Sequence, residues 1–277
     1  MIVSIGMKHF GPATTTQSTS SMDEISVRAA HYAPGTVQRP HEHPWGTMTL
    51  VFRGDVIERV GDREERAQSL SVVVKPPGVR HANRFGPNGA STLQVAFEPR
   101  LLEAWDGEWR MGGWRWIHDG ALARPFVALL KLLRSRAAQE DDLESLVYEL
   151  CAAVASSAAP GDSRLPSLGA PPRWLSRVRD RILDDAAETL RVRDLAREAG
   201  LHPVSLARAF RRHYGATIGT VLRRRRVTLA AARLEGSAEA LCDIALEVGF
   251  ADQAHLCRVF KATTGVTPLG FRRLVRG

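Results

Sequence analysis

The stretch DLAREAGLHPVSLARAFRRHYGATIGTVLRR, residues 194–224, decides the fold of the carboxy-terminal half, because the chain carries it twice. The second copy is DIALEVGFADQAHLCRVFKATTGVTPLGFRR, residues 243–273. At an offset of 49, Asp194, Ala196, Glu198 and Gly200 match Asp243, Ala245, Glu247 and Gly249. One extra residue in the second turn moves the offset to 50. Leu206, Arg208, Phe210, Gly215, Thr217 and Arg223 then match Leu256, Arg258, Phe260, Gly265, Thr267 and Arg273. Ten identities in order with one insertion mark a duplicated unit.

Each copy reads as helix, glycine turn, helix. In the first, Val192, Leu195, Ala196 and Ala199 form a buried stripe, and Gly200 supplies the positive φ that a helix end favours. Leu201 plugs the corner, and Pro203 opens the second helix where a missing N–H costs nothing. Leu206, Phe210 and the ring of Tyr214 fall on the inward face. Val204, Ala207, Arg208 and Arg211 fall opposite, with Ser205 and Arg212 beside them. In the second copy Val248, Phe250, Leu256 and Phe260 go inward, and Gln253, Ala254, His255, Arg258 and Lys261 face out.

An arginine flanked by small or polar side chains suits a helix that enters a major groove and touches base edges. The plainer alternative is a helical interaction module with a solvated arginine face. Between the units, residues 218–235 predict one helix carrying the arginines of 223–226, about 25 Å long at 1.5 Å per residue. That length lets the two outer helices enter successive major grooves, about 34 Å apart.

Charge points the same way. The chain holds 38 Lys+Arg against 30 Asp+Glu, a net of +8. Residues 173–277 hold 20 basic and 11 acidic side chains, so the rest is nearly neutral. A cationic half rich in arginine favours a polyanion, here double-stranded DNA. No apolar run approaches the length of a membrane span, so no membrane partner is expected. The N-terminus has no basic segment leading into an apolar one, which makes the cytoplasm the expected location. Three scattered cysteines are too few for a disulfide framework or a thiolate zinc site.

The expected organisation is an α+β chain of two domains. Residues 1–24 read as a flexible polar tail. From 25 to about 97 the texture is strand-like, with apolar runs at 47–52, 70–74 and 92–97 between Gly, Pro and Asn. The segment Val-Phe-Arg-Gly-Asp-Val-Ile predicts two strands joined by a tight turn at Gly54-Asp55. Strands at this spacing suggest a small barrel or sandwich. Two amphipathic helices follow. One presents Leu122, Phe126, Leu129, Leu130 and Leu133, the other Leu143, Leu146, Val147, Leu150 and Val154. They either cover the open face of the sheet or pair with a second copy. Residues 25–155 thus form the expected effector-binding and dimerisation domain. Residues 156–172, rich in Pro, Gly, Ser and Ala, are the linker. Residues 173–277 form an all-α domain with two helix-turn-helix units.

The carboxy-terminal half resembles the DNA-binding domain of the AraC/XylS family of transcription regulators. The strongest stretch is Asp243-Ile244-Ala245, Val248-Gly249-Phe250, Asp252-Gln253, Leu256, Arg258, Phe260-Lys261, Gly265, Thr267-Pro268 and Phe271-Arg272. The resemblance implies that Val204, Ala207 and Arg208, and Ala254, His255 and Arg258, read bases. There are departures. His202 stands where many members have a Ser cap. Ile218 and Val221 replace a Pro and an aromatic, and Cys242 sits where Ile is common. Val204 and Ala207 offer no hydrogen bonds, which leaves the first unit Arg208 and apolar contacts to thymine methyls.

In the amino-terminal half, Gly35, His41-Glu42-His43, Gly54 and Pro76-Pro77-Gly78-Val79-Arg80-His81 resemble the two motifs of the cupin barrel. Thr47 stands at the position of the motif's Glu, and Leu70 at the leading Gly of the second motif. His41 and His43, two apart on a strand, share a face. With His81 from a neighbouring strand they would suit zinc, nickel, copper or iron(II). Three readings stay open: a divalent transition metal, a metal-free effector pocket shared with Trp45 and Thr47, or internal structural histidines. Together the halves predict a ligand-responsive regulator with no catalytic residues. It would be a homodimer that binds DNA and a small-molecule effector. A metal-dependent cupin enzyme with a DNA-binding appendage is the alternative, and the missing Glu argues against it. A third possibility is an architectural DNA binder without sensing.

Overall fold

A computed structural model describes residues 18–22, 25–98, 113–135, 140–157 and 171–276. The β-branched runs of the first half pair into one antiparallel sheet. Its strands are β1 Ser18–Met22, β2 Ile25–Tyr32, β3 Val37–His41, β4 Gly46–Val60, β5 Arg63–Ala67, β6 Val72–Lys75, β7 His81–Phe97 and β8 Arg115–Ile117. The order is β1-β2-β7-β4-β6-β8, with β3 also on β7 and β5 also on β4. The long strands β4 and β7 each serve two neighbours along one edge. The start of β4 pairs with β6 and its end with β5, while the start of β7 pairs with β3 and its end with β2.

Gly54-Asp55 is not the expected hairpin turn. Strand β4 runs through it, and the β4–β7 register slips between Val51 and Arg53 and again between Gly54 and Val56. Gly54 has φ +74°, and a Cβ there would sit 2.0 Å from the Gly89 carbonyl oxygen. Glycine therefore serves a bulge at a close strand crossing. The reversal comes later, at Gly61-Asp62, between β4 and β5. The expected tail is also partly structured: residues 18–22 add β1 to the edge of β2. The rest of that tail lies outside the described residues. Leu70, at the glycine position of the second cupin-like motif, keeps the left-handed backbone with φ +66°. Its side chain is fully buried, and that burial offsets a conformational cost of about 1–2 kcal/mol.

The two helices are α1 Ala123–Leu133 and α2 Glu140–Ser157. Their stripes are used on the chain's own sheet. Leu122, Phe126, Leu129, Leu130, Leu143, Val147, Leu150 and Val154 join Val27, Met48, Leu50, Leu93, Val95 and Phe97 in one buried core. Covering, not an exposed apolar stripe, is what these leucines do; α2 turns Asp142, Ser145 and Glu149 outward. Because α2 reaches Ser157, the first two residues of the expected linker are helical. Residues 158–170 lie outside the described ones.

The second half forms α3 Arg173–Asp184, α4 Val192–Glu198, α5 Pro203–Tyr214, α6 Ile218–Gly236, α7 Leu241–Glu247, α8 Gln253–Thr264 and α9 Pro268–Arg276. The first helix-turn-helix unit has its own core: Leu175, Val178, Ile182, Leu195, Ala196, Leu206, Phe210, Ile218 and Val221. Ile218 and Val221, the departures noted above, are working core residues. Val192 is not; at the first position of α4 it is exposed, ahead of the stripe. The second unit does not keep a separate core. Ala230, Leu234, Ile244, Phe250, Leu256, Phe260 and Phe271 belong to the same cluster as the sheet and α1. Among the described residues no helix is long and apolar enough to cross a membrane.

One carboxylate ties α6 to the sheet. Glu235 accepts the Gly54 N–H at 2.9 Å through one oxygen and the Ser69 hydroxyl through the other. Burial pushes its pKa up to about 7, against the pull of those two donors. The folded form thus holds a proton that the unfolded chain releases near the ordinary value. The stabilising contribution is complete below about pH 4.5 and is lost as pH rises through 7. Glu235→Gln keeps the shape and one acceptor oxygen without the ionisation. In urea titrations, wild type should lose about 2–3 kcal/mol relative to this variant between pH 5 and 8. Parallel pH profiles for the two proteins would refute the assignment.

Candidate functional site

Helices α5 and α8 are built alike. Each ends on a left-handed glycine, Gly215 at φ +66° and Gly265 at φ +80°. Each starts at a capped residue: Asp252 accepts the His255 N–H at 2.7 Å, and His202 Nδ1 accepts the Val204 N–H at 3.3 Å. The imidazole therefore replaces the expected Ser, with a longer bond. Leu206, Phe210, Leu256 and Phe260 are fully buried, which fixes the rotation of both helices.

On the outer face of α5, Val204, Ser205, Ala207, Arg208, Arg211 and Arg212 are all exposed. On α8 so are Gln253, Ala254, Arg258 and Lys261, while His255 is half-buried, edge-on to Phe250 at 5.1 Å. Among the described residues none of these cations is in an ion pair. Other arginines of the same half are occupied. Arg225 donates to the Leu183 carbonyl at 2.8 Å, and Arg226 to those of Ala186 and Glu188 at 2.7 and 2.9 Å. Burial lowers the pKa of both. The arginine run at 223–226 is thus half staple, bracing α6 against the 183–188 turn, and spacing alone did not distinguish these from the free ones. The helix carrying it spans 19 residues, about 28 Å.

In the amino-terminal half the structure brings His41, His43 and His81 together. One ligand nitrogen from each lies within 4.8 Å of the others. Strand β3 ends at His41 opposite His81, the first residue of β7. His41 Nδ1–H donates to the Arg39 carbonyl at 2.8 Å, and His81 Nδ1–H to that of Val79 at 2.9 Å. Those bonds fix the tautomer and leave each Nε2 with a free lone pair. Burial is the main cause that lowers the pKa of His43 and of His81 to about 4, so both are neutral at pH 7. Trp45 stacks on His43 with centroids 5.1 Å apart, and Thr47, Lys75, Pro76 and Val79 complete a narrow pocket. Thr47 is buried, and its hydroxyl finds no partner among the described residues.

Two residues here were not legible in the sequence. Lys75 Nζ lies 2.5 Å from Glu58 Oε1, both are buried, and Trp114 Nε1–H donates to Glu58 Oε2 at 2.8 Å. Burial works to raise the Glu58 carboxyl, but the Lys75 charge and hydrogen bond, with the Trp114 N–H, together hold the carboxyl below its ordinary range. Alternation from Val72-Val73-Val74 does place Lys75 on the inner face with Val73, which is the one signal that pointed to it.

The chain matches two described families: "Helix-turn-helix domain" over residues 195–274 and "AraC-like ligand binding domain" over residues 25–151. It is 35% identical over 85 residues to the "Probable transcription factor PqrA" of Proteus vulgaris, covering 31% of this chain and 70% of that protein. It is 24% identical over 272 residues to the HTH-type transcriptional activator RhaR of Escherichia coli strain K12, covering 91% and 93% of the two. Among solved structures it matches ToxT of Vibrio cholerae at 11% identity and a TM-score of 0.37, covering 92% of this chain and 100% of that one. With two helix-turn-helix units on one side and a β-sheet ligand-binding half on the other, the chain belongs to the AraC family of transcriptional regulators.

Proposed function

We propose that this regulator reads its operator through two helices and answers to a small molecule held in its amino-terminal half. The contacts to DNA come from Val204, Ser205, Ala207, Arg208, Arg211 and Arg212 on α5 and from Gln253, Ala254, His255, Arg258 and Lys261 on α8. The carrying observation is that the outer faces of both helices expose cations with no ion-pair partner among the described residues, while neighbouring arginines are tied to backbone carbonyls. Two such protomers, paired as a homodimer in the cytoplasm, would cover repeated half-sites. Selection of bound fragments from random DNA should enrich one motif with two halves about 10 base pairs apart. No enriched motif, together with a steep salt dependence, would mean an architectural binder instead.

The residues of the histidine pocket fit a divalent transition metal. They offer three imidazoles, two of them oriented by backbone carbonyls with Nε2 left free, which is the usual outer support of such a site. Three nitrogens suit zinc, nickel, copper or iron(II), and a bound ion would supply an open position for an effector's oxygen. In this reading Thr47 and Trp45 shape the effector's approach. The double variant His41→Ala, His43→Ala should bind operator as wild type does, lose the metal on elemental analysis and shift the induction profile. An unchanged profile would remove the histidines from the sensing site.

A further inference from the structure

A second pocket lies away from the histidines, where the two halves meet. It is a cavity of about 320 Å³ between the 119–124 segment, α6 and α8. Its lining includes the arginines Arg124, Arg223 and Arg224 and the hydroxyl residues Thr220 and Thr263. The acid beside it is Asp119. That carboxylate is shared: Oδ1 accepts the Ala121 N–H at 3.0 Å, and Oδ2 faces Arg224 at 3.7 Å. Arg124 and Arg223 are exposed and in no ion pair among the described residues. Gly120, at φ +69°, brings the segment close; a Cβ there would meet Thr228 at 3.2 Å. Three arginines therefore line a concave site, and the Asp119 carboxylate beside it is already engaged.

We infer that this cavity binds a small molecule carrying two or more anionic groups, carboxylate or phosphate. Guanidinium forks match both geometrically, and the volume fits a small metabolite. The occupant would touch α1 of the sensing half, the helix between the DNA-reading units, and one flank of the second reading helix. Val259 and Thr263 lie roughly 100–140° round α8 from Arg258 and Ala262 about 40°, so the cavity borders the DNA-reading face. Binding there would set how α8 is held against the sensing half. The inference does not depend on the histidine site.

Calorimetry on the full chain tests it, with citrate and pyrophosphate as probes at physiological salt. At least one should bind with one-to-one stoichiometry. Arg124→Ala with Arg223→Ala should weaken binding by about tenfold or more. Ala262→Phe, which fills the cavity and leaves all three arginines, should abolish binding, while His41→Ala with His43→Ala should leave it unchanged. Failure of both probes to saturate up to several millimolar would overturn the inference, as would wild-type binding by the arginine and cavity-filling variants. So would a third result: no probe binding, but an operator affinity and salt slope that fall in Arg124→Ala. That would make the cavity a clasp for a DNA phosphate.

Discussion

Glu58→Ala should destabilise the protein by about 3–5 kcal/mol, the usual cost of leaving one partner of a buried ion pair alone. Lys75 Nζ lies 2.5 Å from the carboxylate that this change removes, and its burial keeps bulk solvent from taking over. The Trp114 indole N–H loses its acceptor in the same step. Urea denaturation at pH 7 measures the effect. Replacing both members, Glu58→Leu with Lys75→Met, should recover most of it, because neither charge is then stranded. The substitution has a second readout. Paired, Lys75 and Glu58 bring no net charge to the histidine pocket; alone, Lys75 repels a cation there. Metal content should therefore fall in Glu58→Ala and return in the double variant. A single substitution costing under about 1 kcal/mol would mean that water reaches the pair.

Arg208→Ala and Arg258→Ala should each cost about 1–3 kcal/mol on the operator and relax base preference at one position. The two arginines sit on separate helices with separate buried anchors, so their effects should add. The double variant should bind roughly 30- to 20,000-fold more weakly. Thermal melting should be unchanged, since both side chains are exposed and in no ion pair among the described residues. Lys261→Ala serves as a contrast: removing a charge that faces a phosphate should weaken all sequences alike and lower the salt slope by about one. Operator affinity untouched in the double variant would refute the assignment of α5 and α8 as reading helices.

The duplicated half was legible because its signals are local. The spacing of Leu206 and Phe210, and of Leu256 and Phe260, fixes which side of each helix is buried, and the opposite side follows from 3.6 residues per turn. The glycines at 200, 215, 249 and 265 mark their turns by a backbone that other residues avoid. The histidine triad was legible for a related reason. Two of its members stand two apart in the chain and the third follows a turn motif, although the strand expected to carry both ends at His41 and leaves His43 beyond it.

What the amino-acid order alone determined, then, is every feature held within one element or one turn: the repeat, the faces of α5 and α8, and the candidate ligands His41, His43 and His81. The tertiary structure alone decided which partners distant residues found. It ran β4 straight through Gly54, placed Lys75 against Glu58, and tied Arg225 and Arg226 to carbonyls about 40 positions away. It also joined the second helix-turn-helix unit to the sheet through one shared core and the Glu235 carboxylate. The physical reason is that periodicity records only whether a side chain faces inward. Whether a buried arginine, lysine or glutamate is staple, pair or latch depends on a donor or acceptor that arrives from elsewhere in the chain.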